Sequence, residues 1–334
     1  MVIGICGYGY TGSGAVIDLL KEYKDIQVSD DFEFALTYWP DSIQDLEYHL
    51  CYAPARFFSS DTAIRRFHTF VEKENKSPKG WYKVATQGKF KEISEQYINK
   101  VTQLTWKGRW MIDPFLCSEF IRTIKYRLLG RCIKWFPRVE RMLNRKMYFS
   151  IAPVDFLEHT KDYINDLLSA MGYHNSGTVV LNQPFPANEP AQSMKYFTDP
   201  RAIIVDRDPR DTYILMKKHT SARWAPIDNV EKFILYYRQL RLNKEESNRV
   251  LYLRFEDLVY QYERTVKVIE EFCGLGIHIR PRSFFDPMVS INNTRLYQRY
   301  PELDADIKLI EKELTEFLFN FSEYDESKFE GTVF

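Results

Sequence analysis

The sequence predicts an α/β fold built on a parallel sheet and interrupted by a long helical insertion. Three observations carry that expectation. The chain opens with a short apolar run at 2–6 that feeds a glycine-rich turn, and a helical pattern at 15–23 follows. Short apolar, β-branched runs recur at 26–29 (IQVS), 178–181 (TVVL), 202–205 (AIIV) and 250–253 (VLYL). Helical patterns lie between them, which is the alternation of an α/β sheet whose strands are buried on both faces. Between 40 and 175 that alternation stops, and helical periodicity, aromatic residues and frequent Lys and Arg take over.

The elements follow in order. The 2–6 run is a buried strand, and the helix after the glycines packs on it. The 26–29 run is a second strand ending in Asp30 and Asp31. The tract at about 40–175 is the insertion. The later strands at 178–181, 202–205 and 250–253 are followed by helical patterns at 209–219, 228–246 and 261–273. Pro209 suits a first helical turn, where its missing N–H costs nothing. An amphipathic helix at 303–320 precedes an acidic tail. There is no internal repeat and no low-complexity linker, so 1–334 reads as a single domain carrying the insertion. A chain of 334 residues is long enough for a sizeable core.

Composition narrows the function. Lys and Arg number 46, and so do Asp and Glu, so the whole chain gives no case for nucleic-acid binding. Cys6, Cys51, Cys117, Cys132 and Cys273 are scattered, odd in number and free of CxxC spacing. That argues against a disulfide framework or a zinc site and fits a reducing compartment. The N-terminus lacks a basic region before its apolar run, and no run nears the ~20 residues of a membrane span. A cytoplasmic protein is expected. The stretch 121–147 carries nine Lys or Arg against one acid, Glu140. Such a basic amphipathic tract either makes peripheral membrane contact or is the solvated face of a helix packed on the insertion.

Two motifs carry chemistry, and each has two readings. Gly7, Gly9 and Gly12 spell G-x-G-x-x-G, with Asp30 and Asp31 about where a ribose-binding acid belongs. This reading gives an NAD(P)-dependent oxidoreductase, but the third strand of a Rossmann half does not follow. Gly7 and Gly12 also have Walker spacing, with Ser13 where the lysine would stand. The second motif is Arg207-Asp208-Pro209-Arg210-Asp211 at the end of the 202–205 strand. Its arginines fall at the carboxyl end of a strand, where α/β sheets bind ligands, and guanidinium forks match phosphate. The competing reading is a local ion network with Asp206, Asp208 and Asp211. A third segment, 250–275, runs strand, R-F-E-D-L, helix.

Together, the glycine turn, the R-D-P-R-D after a late strand and the strand–R-F-E-D-L–helix resemble the sulfotransferase superfamily. Its members use 3′-phosphoadenosine 5′-phosphosulfate (PAPS). The family's S-G-T-T-L-L-x-E-L-L lies in register over 11–20 (TGSGAVIDLL), and the resemblance covers 1–35 and 178–320. It implies a three-layer parallel sheet of the P-loop NTPase-like sulfotransferase type. It implies transfer of a sulfuryl group from PAPS to a hydroxyl, leaving 3′-phosphoadenosine 5′-phosphate, with no metal. The backbone N–H groups of Thr11, Gly12, Ser13, Gly14 and Ala15 would hold the 5′-phosphosulfate at a helix N-terminus, with the Ser13 hydroxyl as an extra donor. Arg207 would bind the 3′-phosphate. Leu215 stands where relatives carry a second, serine ligand, and Thr212 is the nearest hydroxyl. Arg295 and Arg299, in the late loop 290–299, are further candidates.

The resemblance also marks departures. Tyr10 stands where most members have Lys or Arg, and a phenol carries no positive charge near neutral pH. A fixed positive donor at the leaving oxygen is worth roughly 3 kcal/mol. Lys217, Lys218, His219 and Arg223 are candidate replacements, against the plain reading that they are surface residues. For the general base, the segment after 178–181 holds Gln183 but no histidine. Glu33 has a spacing from Gly12 similar to that of the glutamate in bacterial carbohydrate-type members, and Asp31 is the runner-up. A carboxylate beside a phosphosulfate is made more basic by like charge, which suits that role; the competing reading is a capping or surface acid. His49, His68 and His159 are read as non-catalytic. By the same resemblance the acceptor is a hydroxyl of a glycan or glycolipid. Trp39, Trp81, Trp106, Trp110 and Trp135 suit sugar stacking, a core or a steroid-sized pocket equally. A non-catalytic nucleotide-binding relative is the remaining reading.

Overall fold

The computed structural model describes residues 1–128, 144–173, 177–219 and 222–324. It divides into two compact units, one of Met1–Tyr38 with Met171–Phe334 and one of Trp39–Ala170. Among the described residues the strands are β1 (Val2–Gly7), β2 (Ile26–Ser29), β3 (Leu104–Gly108), β4 (Arg145–Phe149), β5 (Thr178–Asn182), β6 (Pro200–Asp206) and β7 (Val250–Arg254).

The first unit is an α/β fold around five parallel strands in the order β2-β5-β1-β6-β7. β1 is central, pairing with β5 on one edge and β6 on the other, and its side chains are buried along nearly the whole strand. The helix α1 (Ser13–Leu20) leaves the glycine turn and buries Val16, Ile17, Leu19 and Leu20. These join Ile3, Ile5, Val180, Ile203 and Val205 of the sheet and Leu258, Val266 and Ile269 of later helices in one apolar core. A second core, around Tyr213, Ile214, Phe233 and Ile310, holds the segments that follow β6.

The strand order settles one alternative. A Rossmann half places its second strand beside its first. Here β5 lies between β1 and β2, which do not pair. The oxidoreductase reading of the glycine turn is therefore withdrawn. Asp31 is exposed and does not line the cavity below that turn.

The second unit is mostly helical. Its long helices, Arg56–Lys76, Phe90–Val101 and Phe156–Ala170, pack through buried aromatics. The Tyr97 and Tyr163 rings stack at 4.4 Å, and their hydroxyls bond Thr160 and Ser94. It also contains the antiparallel pair β3–β4, which breaks the helical expectation. β3 is exposed on both faces, so its sequence has no alternation to read. The helix expected at 228–246 ends at Gln239, and the one expected at 303–320 ends at Glu313, where short turns take over. The part of the basic 121–147 tract at 129–143, with Cys132 and Trp135, lies outside the described residues.

Candidate active site

The glycine turn is shaped by what packs on it. Gly12 is the residue before α1, with φ 90°, and no side chain caps the helix there. A Cβ on Gly12 would meet the Phe255 ring at 2.5 Å, so both the backbone angle and the neighbour require glycine. Gly9, at φ 88°, has the Trp224 indole 2.3 Å from where a Cβ would stand. Thr11 is buried, and its hydroxyl accepts the Tyr8 N–H at 3.2 Å, which closes the turn from inside. The Ala15 N–H is bonded to the Gly12 carbonyl at 3.1 Å, so it is not free for a ligand. The early N–H groups of α1 have no acceptor within the helix, and the aligned peptide dipoles make that end attractive to anions.

Gln183 braces the turn from β5. Its Oε1 accepts the Gly7 N–H at 3.1 Å, and its Nε2 donates to the Ser13 Oγ at 3.4 Å. The Ser13 hydroxyl, with its acceptor role filled, keeps its proton to donate. Arg241 braces the turn from the other side. Its guanidinium forks onto Asp206, with Nη2 at 2.6 Å from Oδ1, and sits 4.1 Å from the Tyr8 ring and 3.4 Å from the Tyr237 ring.

Arg207 closes the site. Its side chain is buried, lies over the Phe255 ring at 4.7 Å and donates to the carbonyls of Tyr10, at 3.5 Å, and Asn293. Its Nε and the Asn293 Oδ1 are buried without a hydrogen-bond partner among the described residues. A cavity of about 930 Å³ is lined by Gly12, Ser13, Gly14, Arg207 and Asn293, with Tyr10, Glu33, Tyr38, Trp224, Phe255 and Phe285 around them. The glycine turn and Arg207 thus face one cavity, and Phe255 touches both.

Burial makes the Arg207 surroundings electrostatically unusual. Burial pushes the Glu256 carboxyl up to about 8; Asp208 adds to the shift and Arg207 opposes it. Asp211 is pushed up as well, mainly by burial, against the pull of Arg207. Burial lowers the Arg207 pKa from its ordinary value, while Asp211, Glu256 and Asp208 hold it up. Arg207 and Arg210 therefore share several buried carboxyls, of which Glu256 Oε2 has no hydrogen-bond partner among the described residues.

The other sequence candidates are placed as follows. Arg210, read with Arg207 as facing the crevice, instead forks onto Asp208 and reaches Glu311 at 2.9 Å. Thr212 is buried and donates to the Asp208 carbonyl at 3.0 Å, away from the cavity lining. Leu215 does line the cavity, without a hydroxyl to offer. Arg295 is buried and donates to the Phe321 and Tyr324 carbonyls at 2.8 Å, and Arg299 donates to the Asn292 carbonyl. From their loop, Ser290 and Asn293 reach the cavity instead. Lys217 pairs with Asp306, Lys218 with Glu302, and His219 bonds Tyr300. Arg223 is exposed. Among the described residues, Arg207 is the one cationic side chain in the cavity lining. Tyr10 lines the mouth with φ 55°, its ring stacked on Trp224 at 5.9 Å and 16°. Glu33 lines the cavity and is exposed to solvent. His49, His68 and His159, with Trp39, Trp81, Trp106 and Trp110, belong to the second unit.

Sequence reasoning missed four contributors: Phe255, Trp224, Arg241 and Glu22. Glu22 is fully buried just beyond α1. Its Oε1 accepts the N–H groups of Phe284 and Phe285 at 2.9 Å; its Oε2 meets the Arg282 N–H at 3.0 Å and the His278 ring at 2.7 Å. Burial pushes this carboxyl up, but those bonds outweigh it and leave the pKa below the ordinary value. Glu22 so fixes the loop that brings Phe284 and Phe285 to the cavity. An acid between a helix end and a distant loop leaves no local pattern.

No curated protein matches the sequence significantly. Among solved structures the chain is similar to the sulfotransferase domain from the Synechococcus PCC 7002 olefin synthase. That likeness has 12% identity, covers 93% of this chain and 92% of that one, and has a TM-score of 0.38. It is similar to the sulfotransferase STF9 from Mycobacterium avium at 14% identity, over 97% of this chain and 76% of that one, with a TM-score of 0.35. It is also similar to the sulfotransferase domain from the curacin biosynthetic pathway at 14% identity, over 59% of this chain and 79% of that one, with a TM-score of 0.27. The model of the Sulfotransferase family matches residues 5–278, most of the chain, and by that match the protein belongs to the sulfotransferase family.

Proposed function

We propose that this protein transfers a sulfuryl group from PAPS to a hydroxyl of a carbohydrate or glycolipid. The observation that carries the reading is the shared cavity. The uncapped start of α1 and the Arg207 guanidinium both line it, as a donor bearing phosphate at each end of its ribose would need. The unpartnered Arg207 Nε and Asn293 Oδ1 are the kind of buried polar atoms that a bound anion and its sugar satisfy.

PAPS supplies an activated sulfuryl group whose leaving oxygen gains negative charge. In the proposed arrangement the N–H groups of Gly12, Ser13 and Gly14 and the Ser13 hydroxyl hold the 5′ end. Arg207 holds the 3′-phosphate with charge-assisted bonds in a buried setting. Arg295 and Thr212 are left out of this site because their polar groups are engaged elsewhere. Glu33 accepts the acceptor's proton as its oxygen bonds to sulfur, and the bridging bond's electrons pass to the phosphate. Tyr10 offers a phenol where relatives place a cation, so the helix end carries more of the charge stabilisation. The exposed, stacked pair of Tyr10 and Trp224 at the mouth presents flat apolar faces, which suit a sugar ring.

The test is turnover with labelled PAPS and a panel of sugar, glycolipid, phenol and steroid hydroxyls, following 3′-phosphoadenosine 5′-phosphate release. Transfer to a sugar hydroxyl supports the reading. Tight nucleotide binding without transfer to any acceptor would instead support the non-catalytic relative.

A further inference from the structure

The strongest feature outside the cavity is a segment of the second unit whose polarity is reversed. Between residues 104 and 124 the large apolar side chains face solvent. Met111 is 95% exposed, and Phe115 and Phe120 are each 74% exposed, with Ile112, Leu116 and Ile121 exposed beside them. Two acids beneath them, Asp113 of the same segment and Asp61, are inside. Asp113 and Asp61 are buried and share the Arg145 guanidinium, whose Nη2 lies 2.7 Å from Asp113 and 2.8 Å from Asp61. Trp110 donates its indole N–H to Asp61 at 3.1 Å and its backbone N–H to Asp113 at 2.9 Å. A buried ionic node pins the segment while its apolar side chains point outward. Contiguous exposed apolar surface of this kind marks an interaction site.

The flanking charge says what it meets. Lys107 and Arg109 precede the apolar group, and Arg122, Lys125 and Arg127 follow it. The exposed acid among them, Glu119, is already paired with Arg122 and Arg127. The whole chain has no net charge, so this excess is local. Trp106 and Tyr126 add the aromatic type that favours the boundary between water and hydrocarbon. Apolar side chains ready to insert, ringed by cations and an indole, match an anionic lipid surface. An acidic protein would satisfy the cations but would leave no reason for so many unpaired apolar tips.

We propose that residues 104–127 form a docking surface for an anionic lipid bilayer, which would hold the protein at a membrane carrying its acceptor. The test is co-sedimentation of the full chain with phosphatidylcholine vesicles, with and without phosphatidylglycerol. One variant is M111S/F115S/F120S; a second is K107E/K125E. These side chains make none of the node's contacts, and unchanged urea unfolding and unchanged binding of 3′-phosphoadenosine 5′-phosphate confirm intact folding. The expected result is binding only to vesicles with phosphatidylglycerol, weakened about tenfold or more by each variant and by high salt. Failure of the wild type to bind overturns the proposal, as does binding that the serine variant leaves unchanged. So does a wild type that self-associates, without binding vesicles, and becomes monomeric in the serine variant; the surface would then be a protein interface.

Discussion

The substitution Arg207→Met removes the guanidinium and keeps most of the side-chain volume over Phe255. Two of the guanidinium's nitrogens already donate to the Tyr10 and Asn293 carbonyls, and its Nε is buried without a partner among the described residues. A 3′-phosphate would therefore gain one or two charge-assisted bonds from this group. At about 1.5–3 kcal/mol per bond, their loss weakens binding by about 3 kcal/mol, or roughly 150-fold in Kd. The assay is titration calorimetry with 3′-phosphoadenosine 5′-phosphate and with adenosine 5′-phosphate, which lacks the 3′ group. The wild type should prefer the first by that factor, and the variant should bind both alike. A variant that keeps the preference would refute the assignment. Stability offers a second reading of the same change. Glu256, pushed up to about 8, binds a proton in the fold that the unfolded chain, near 4.5, gives up. Wild-type stability therefore falls as pH rises between those values. Without the Arg207 charge, Asp211 and Glu256 rise further, and the decline extends above pH 8. The stability gap between the two proteins should widen from about pH 6 to about pH 9 in urea unfolding. The binding comparison belongs near the lower value, where the variant is best folded.

Gly12→Ala should cost about 3 kcal/mol in urea unfolding, from a left-handed backbone angle and a clash with Phe255. Adding Phe255→Leu should recover the packing share alone; an unaffected single variant would contradict the geometry. Glu33→Gln should lower kcat by about 10²–10⁴ with nucleotide Kd unchanged, and equal turnover would remove Glu33 as the base. Tyr10→Lys should raise kcat by about tenfold if the leaving oxygen lies at that position; a fall in kcat with unchanged nucleotide affinity would argue that the phenol itself is required. Glu22→Gln should cost about 1–3 kcal/mol and weaken nucleotide binding as the 278–285 loop loosens, whereas lost stability with full affinity would limit Glu22 to folding.

How legible the chain was depended on whether a signal was local. β1, β5 and β6 announced themselves because strands buried on both faces must be apolar throughout; β7, half-buried at the sheet edge, still carries the apolar run VLYL. β3 gave no sign, since a strand exposed on both faces need not alternate. Gly12 and Arg207 stood in short motifs whose spacing is set by one turn, and both reach the cavity. Arg210 looked equivalent to Arg207 two residues from Asp208, but only the tertiary structure shows Asp208 and Glu311 claiming it. Arg295 was likewise drawn away by carbonyls far along the chain. Trp224, Arg241 and Glu22 act across long sequence separations, which a single sequence does not encode as a pattern.

The Phe255 ring packs against Gly12 and lies 4.7 Å from the Arg207 guanidinium. One ring therefore helps to place both groups, and it is a spacer that cannot be compressed. Such a spacer works as a gauge. On the proposed reading, a nucleotide would be accepted by the distance between its two anionic ends, and one with its second charge elsewhere on the ribose would leave one anchor idle.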